Sequence, residues 1–258
     1  MCLVAFAWKV HPDFPLLISA NRDEFFDRPT APLHQWPEDF YAGKDLKAGG
    51  TWMGFHPNGR WALLTNFRDF SQRRTARHSR GKLVSDYLSS LISIEDYLDQ
   101  IWNTRSEFEG FNLLVGEGNR LMYLSNYGDG PQEIQPGIHG LSNGLINADW
   151  PKITLAKTQL QNQLSNPNLK DLLGILKSQE KYPLELLPKT GVPPEKEREL
   201  SAQLIRMAPN YGTVSSAAVI QDQAGKTFIR ERRFKWDSGI FEDTQVQFNA
   251  LIDGKSNV

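Results

Sequence analysis

Short apolar runs that come in pairs, each pair folded about a cluster of turn residues, constrain this chain more than any other feature. Residues 2–8 and 15–20 flank His11-Pro12-Asp13, and residues 49–55 and 61–64 flank Pro57-Asn58-Gly59. Residues 111–115 and 121–124 flank 116–119, and residues 211–220 and 227–234 flank 222–225. Runs of this length, bounded by Gly, Pro, Asn and Asp, read as strands joined by tight turns, and Asn-Gly is a strong hairpin signal. Elsewhere the period changes. Leu83, Val84, Tyr87, Leu88 and Leu91 fall at helical spacing within residues 82–91, and Ser93, three residues before Asp96, is an N-cap for a second helix. Asp149 with Pro151 is expected to open a third helix running to Leu164, with further helices over residues 168–176 and 195–207. Hairpins with helices grouped between them predict an antiparallel α+β layering, since a parallel sheet needs strict strand–helix alternation.

Residues 1–258 are read as a single domain. The Pro-rich stretch 182–194 is a loop within it, and the polar residues 237–258 form a short edge element or a tail. A formal net charge of −1 argues against a general nucleic-acid binder. No apolar run reaches the roughly 18 residues of a membrane span. The apolar N-terminal stretch has no basic segment before it and is interrupted by Lys9, so it does not read as a secretory signal. One cysteine excludes an internal disulfide and suits a reducing, cytoplasmic setting. The five histidines lack metal-ligand spacing and there is no Gly-rich nucleotide loop, so no metal is expected and no cofactor is required. The expected partner is a small-molecule ligand; oligomeric state is not legible.

A lone cysteine is more often a small core residue than a nucleophile. Its position at residue 2 changes the argument. Removal of Met1 would leave Cys2 with a thiol and a free α-amine, whose reference pKa values are about 8.5 and about 7.7–8.0. Such an amine can serve as its own nucleophile's base. A hairpin would bring the end of the second strand, Asn21-Arg22-Asp23-Glu24, beside Cys2. Asp23 is then placed to hold the amine, and Arg22 to order that carboxylate or to bind substrate. In a regular strand Asn21 and Asp23 share one face while Arg22 and Glu24 share the other. Asn66 and Asn143 are candidate oxyanion donors, because an amide N–H carries partial positive charge without titrating.

Met1-Cys2, Asn21-Arg22-Asp23-Glu24, Gly49-Gly50-Thr51-Trp52, Asn112-Leu113-Leu114-Val115-Gly116, Gly140-Leu141-Ser142-Asn143 and Tyr211-Gly212-Thr213 together resemble the NRDE family, that of the transport and Golgi organisation protein 2. The resemblance implies a fold like that of N-terminal nucleophile hydrolases, a four-layer αββα sandwich with two antiparallel sheets. Three segments also resemble the bile-salt hydrolase and penicillin V acylase group. That likeness implies a catalytic set of Cys2, Asp23, Asn66 and Asn143. The chain departs from those acylases at Ala20, where they carry Arg, and from many family members at Val214, where they too carry Arg.

The resemblance further implies haem trafficking or lipid and acyl-CoA binding. Arg68, Arg73, Arg74, Arg77, Arg80 and Lys82 stand against Asp69 alone, just before a helix expected to begin near Gly81. Arg forks and a helix N-terminus both suit anions. Two functions are therefore expected of one Cys2-centred pocket. The first is binding of a small hydrophobic anion such as haem or acyl-CoA, by Asn21, Arg22, Glu24, Arg74 and Arg77. The alternative is hydrolysis of an amide or thioester by an N-terminal cysteine.

Overall fold

Every residue of β1 (Cys2–Trp8) is buried, as is β2 (Leu16–Phe25) from Leu16 to Asn21, because both faces of their sheet are covered. Continuous burial explains why these runs are apolar throughout rather than alternating. The structure, a computed structural model, describes residues 2–71 and 76–251.

The first sheet adds β10 (Gly137–Leu141), β11 (Arg206–Met207), β12 (Tyr211–Gln221), β13 (Lys226–Lys235) and β14 (Ile240–Asn249). Its order is β10-β1-β2-β12-β13-β14, with β11 paired to β12. The second sheet runs in chain order through β3 (Thr30–Gln35), β4 (Tyr41–Asp45), β5 (Met53–Phe55), β6 (Arg60–Asn66), β7 (Phe111–Glu117), β8 (Arg120–Ser125) and β9 (Gln132–Glu133). All the described pairings are antiparallel. The helices are α1 (Lys82–Ser89), α2 (Ile94–Asn103), α3 (Pro151–Gln161), α4 (Leu169–Leu172) and α5 (Pro194–Glu199).

Strand alternation sorts the side chains into layers. Val4, Phe6 and Trp8, with Leu16, Ile18 and Ala20, pack against Phe55, Trp61, Leu63 and Leu114 of the second sheet. The intervening Leu3, Ala5, Ala7 and Leu17 pack against Ile153, Ala156 and Leu160 of α3 and Leu172 of α4. On the far side, Ala62, Leu64, Leu113 and Val115 carry Leu83, Val84 and Tyr87 of α1 and Leu98 of α2. Each of the Val, Leu, Ile and Phe side chains among these stabilises the fold by roughly 1.5–3 kcal/mol relative to exposure. The result is the four-layer αββα sandwich that the resemblance implies.

The four hairpins form as read, and Ser93 caps α2 by accepting the Asp96 N–H at 3.1 Å. Other expectations need correction. The N-cap of α3 is Trp150, not Asp149, and the helix ends at Gln161. Only Leu169–Leu172 of the expected helix 168–176 is α-helical, capped by Asn168. The helix expected over 195–207 stops at Glu199, and Arg206–Met207 is instead a short strand. The polar C-terminal segment is not a short element: β14 pairs with β13 from Ile240 to Asn249. Cross-strand pairs Arg230–Asp243, Arg232–Asp243 and Lys235–Glu242 join the two strands, while Val246 and Phe248 pack inward and Phe248 stacks on Tyr41. Among the described residues no helix is long and apolar enough to cross a membrane.

Candidate active site

The two hairpin strands at the N-terminus set the site by register. Cys2 stands opposite Arg22 across β1 and β2. A bulge in β12 between Thr213 and Ser215 shifts that strand by one residue and brings Ser215 opposite Arg22. Ser215 also faces Arg233 on β13. Cys2, Arg22, Ser215 and Arg233 thus form one row across four strands, and all four line a cleft of about 350 Å³. The facing wall holds Trp52, Leu64 and Asn66, and the rim holds Arg80 and Gly81 at the start of α1.

Gly50 shapes that rim. A Cβ there would lie 2.5 Å from the carbonyl carbon of Gly81, so only glycine lets the two backbones meet. The Thr51 N–H then donates to the Gly81 carbonyl at 3.2 Å.

The Asn21–Glu24 tetrad divides between the faces as strand alternation requires. Asn21 is buried on the helical side, donating to the carbonyls of Leu176 at 2.9 Å and Gln203 at 3.0 Å and accepting from Ser216 Oγ at 2.6 Å. Its bonds are all to the scaffold. Asp23 shares that face, accepts from Thr213 Oγ1 at 2.7 Å, and lines the cleft one residue beyond the last β1–β2 pair, Cys2–Arg22. Burial pushes its carboxyl up, against the pull of the terminal ammonium and of Lys152. Arg22 and Glu24 face the cleft as an ion pair at 3.7 Å.

Burial pushes the Cys2 thiol up to about 11, with the terminal ammonium and Arg22 pulling the other way. Its carbonyl accepts from Ser142 Oγ at 2.9 Å. Asn66 lines the cleft. Asn143 does not: it is buried behind Asn66 and donates its Nδ2–H to the Asn66 carbonyl at 2.9 Å.

Of the basic loop, Arg74 lies outside the described residues. Arg77 is exposed and does not line the cleft, although its neighbours Ala76 and His78 do; its backbone N–H donates to the Glu107 carbonyl at 2.8 Å. Arg80 is the loop's arginine in the lining, beside Ala76, His78 and Ser79, and is held by the Gly110 carbonyl at 3.0 Å and by Glu109 at 3.1 Å. Among the described residues no three His, Cys, Asp or Glu side chains gather closely enough to hold a metal ion.

Sequence reasoning missed Ser215, Glu231 and Arg233 on the cleft floor and Lys152 behind it. Glu231 and Arg233, two charged residues on one face of the strand read over 227–234, were the available signal. Lys152 gave none. It is buried in the first turn of α3, donates to the Leu200 carbonyl at 2.9 Å, and is pushed down to about 8 by burial and by Arg68.

Residues 1–236 match the family model described as transport and Golgi organisation 2. The chain is 27% identical over 279 residues to the transport and Golgi organization 2 homolog of Mus musculus, covering 95% of this chain and 99% of that protein. It is 26% identical to transport and Golgi organization protein 2 of Drosophila melanogaster, over 90% of this chain and 92% of that one. Among solved structures it is similar to a Caenorhabditis elegans N-acylethanolamine-hydrolyzing acid amidase ortholog, with 10% identity, 85% of this chain and 92% of that chain covered, and a TM-score of 0.47. It is also similar to a mutant conjugated bile acid hydrolase from Clostridium perfringens, with 7% identity, 98% of each chain covered, and a TM-score of 0.46. With the family match running from Met1 through β13 to Trp236, the chain belongs to the transport and Golgi organisation 2 family.

Proposed function

We propose that the protein is an N-terminal cysteine hydrolase cleaving an amide or thioester bond, with Cys2 as nucleophile. One observation carries this reading: Cys2, Asp23 and Asn66, from three strands of two sheets, line one cleft. They are a nucleophile, a carboxylate and an amide donor. Removal of Met1 places the α-amine on Cys2 itself. Its free base takes the thiol proton, and the thiolate attacks the substrate carbonyl. The oxyanion accepts from the Asn66 amide, which is worth about 10²–10³ in rate for a donor of this kind. The protonated amine then gives its proton to the departing amine or thiol as the C–N or C–S bond breaks. Water hydrolyses the acyl-cysteine by the same amine's help. Asp23, fixed by Thr213, holds the amine in place, and Asn143 holds the peptide of Asn66.

The test is trapping of the acyl-enzyme. Processed wild type, mixed with a panel of amides and thioesters, should gain an acyl mass that Cys2→Ala, equally folded by circular dichroism, does not gain. An adduct or turnover in Cys2→Ala equal to wild type sinks the proposal.

The second reading, binding without chemistry of a small hydrophobic anion such as haem or acyl-CoA, is favoured by Arg22, Arg28, Arg80 and Arg233 around the cleft. Saturable binding of haemin or palmitoyl-CoA, with no acyl adduct in the processed wild type, would make it the better account.

A further inference from the structure

The floor of the cleft extends well past the nucleophile. The row Cys2, Arg22, Ser215 and Arg233 spans three strand spacings, about 14 Å at about 4.8 Å each. The next row inward is Val4, Ala20, Ala217 and Glu231. Val4, Ala20 and Ala217 belong to the inter-sheet core, and Glu231 closes the far end of the cleft beside Arg233.

The charges at that end differ from the rest. Arg28 pairs with Asp45 at 2.7 Å, Arg80 with Glu109 at 3.1 Å, and Arg22 with Glu24 at 3.7 Å. Glu231 and Arg233 close no ion pair among the described residues. Glu231 is only 8% exposed; the Leu33 N–H reaches its Oε2 at 2.7 Å and Ser215 hydrogen-bonds its carboxylate. Arg233 Nη2 donates to the Thr30 carbonyl at 3.0 Å and Thr30 Oγ1 at 3.3 Å, leaving other guanidinium donors for a ligand. Gly43 keeps the approach open from the second sheet. A Cβ there would stand 3.6 Å from Glu231 Oε1 and 3.3 Å from the Ala31 carbonyl oxygen. Burial pushes the Glu231 carboxyl up, against the pull of the Leu33 N–H, Arg233, Arg22 and Ser215, and a ligand ammonium beside it would pull the same way.

We propose that the Glu231–Arg233 end of the cleft is a recognition subsite for a zwitterionic group, with Arg233 taking its anion and Glu231 its ammonium. The substrate carries this group at a distance from its scissile carbonyl. The assignment rests on the cleft being the substrate site proposed above. An amino-acid end and a phosphoethanolamine end present the same two charges, and the probes separate them.

The experiment is calorimetric titration of the Cys2→Ala protein, which binds without turnover. The probes are norleucine, phosphoethanolamine, hexanoate, which lacks the ammonium, and pentylamine, which lacks the anion. At least one zwitterion should bind about tenfold or more tighter than both single-charge probes, as expected when a charged hydrogen bond is lost. The tighter zwitterion names the source. Glu231→Gln in this background should abolish the advantage over hexanoate, and Arg233→Gln the advantage over pentylamine. Neither zwitterion exceeding hexanoate and pentylamine overturns the proposal, and that comparison needs no subsite variant. Discrimination unchanged in folded Glu231→Gln and Arg233→Gln overturns it as well. The hydrolase reading fails separately, when processed wild type forms no acyl adduct, and the titration does not depend on that result.

Discussion

Asn143 donates its side-chain N–H to the backbone carbonyl of Asn66 at 2.9 Å, so the two asparagines stand one behind the other rather than side by side. Asn66 lines the cleft; Asn143 is buried. Their variants should therefore separate. Asn66→Ala should lower kcat about 10²–10³-fold with little change in unfolding midpoint. Asn143→Ala should lose about 1–3 kcal/mol of stability, the cost of a buried carbonyl without its donor. Denaturant titration beside single-turnover kinetics distinguishes them. Equal effects on both quantities in both variants would refute the division.

Asp23 offers a pH test whose sign follows from burial. Its folded carboxyl is pushed above its ordinary value by burial. A group raised in the folded state contributes stability that is complete below its unfolded pKa, about 3.9 for Asp, and is lost as pH rises through the folded value. Asp23→Asn keeps an oxygen for Thr213 and lacks that loss. The variant should gain Tm over wild type as pH increases from about 4 towards neutrality, while acylation of Cys2 slows. A Tm difference independent of pH would show that the carboxylate is not penalised. Greater stability with poorer function is the expected mark of a residue kept for its chemistry.

The hairpins were legible because β1, β2, β6 and β7 are buried on both faces, which leaves little but apolar residues to read. From the first hairpin alone, the proximity of Cys2 and the Asn21–Glu24 tetrad followed. The other half of the site did not. β12 lies against β2 although Ser215 and Arg22 are far apart in the chain, and no local pattern encodes that pairing. Glu231 and Arg233 could not be placed without it. β3 and β4 were missed, and β14 was read only as a short edge element or a tail, for a different reason. They are partly exposed and mostly polar, held largely by the backbone ladder and ion pairs, and the only apolar alternation in β14 is the short Val246–Phe248 pair. The Arg-rich loop had no period to phase it, and Arg77 was picked where Arg80 lines the cleft.

Arg68, just beyond β6, is buried against Glu197 of α5, with Thr190 bridging them. Arg68 Nε donates to Thr190 Oγ1 at 3.0 Å, and that hydroxyl donates to Glu197 Oε2 at 2.6 Å. The Arg68 N–H in turn donates to the Asn143 carbonyl at 2.8 Å. The cluster thus fastens α5 and the loop before it to the strand end that carries Asn66. Glu197→Ala leaves a buried guanidinium without its carboxylate and should cost about 3–5 kcal/mol by urea denaturation. Glu197→Gln keeps the shape and should cost less. A loss under about 1 kcal/mol in Glu197→Ala, the ceiling for a surface pair, would show that water replaces the carboxylate.

The last prediction concerns the thiol itself. With Met1 in place, burial holds Cys2 up to about 11. At pH 8 only on the order of one molecule in a thousand is then a thiolate, and only the thiolate is alkylated. The iodoacetamide rate of the Met1-bearing chain should climb steadily with pH and show no plateau below pH 10. Removing Met1 puts an amine of reference pKa about 7.7–8.0 on the same residue, within reach of the thiol proton. The processed chain should be alkylated about tenfold or more faster at pH 8, with an inflection near the amine's titration. Both forms can be made from one gene, by expressing it with and without methionine aminopeptidase activity, and intact mass reports which is present. Identical rates would mean the amine does not activate Cys2, and the binding reading would then account better for the cleft.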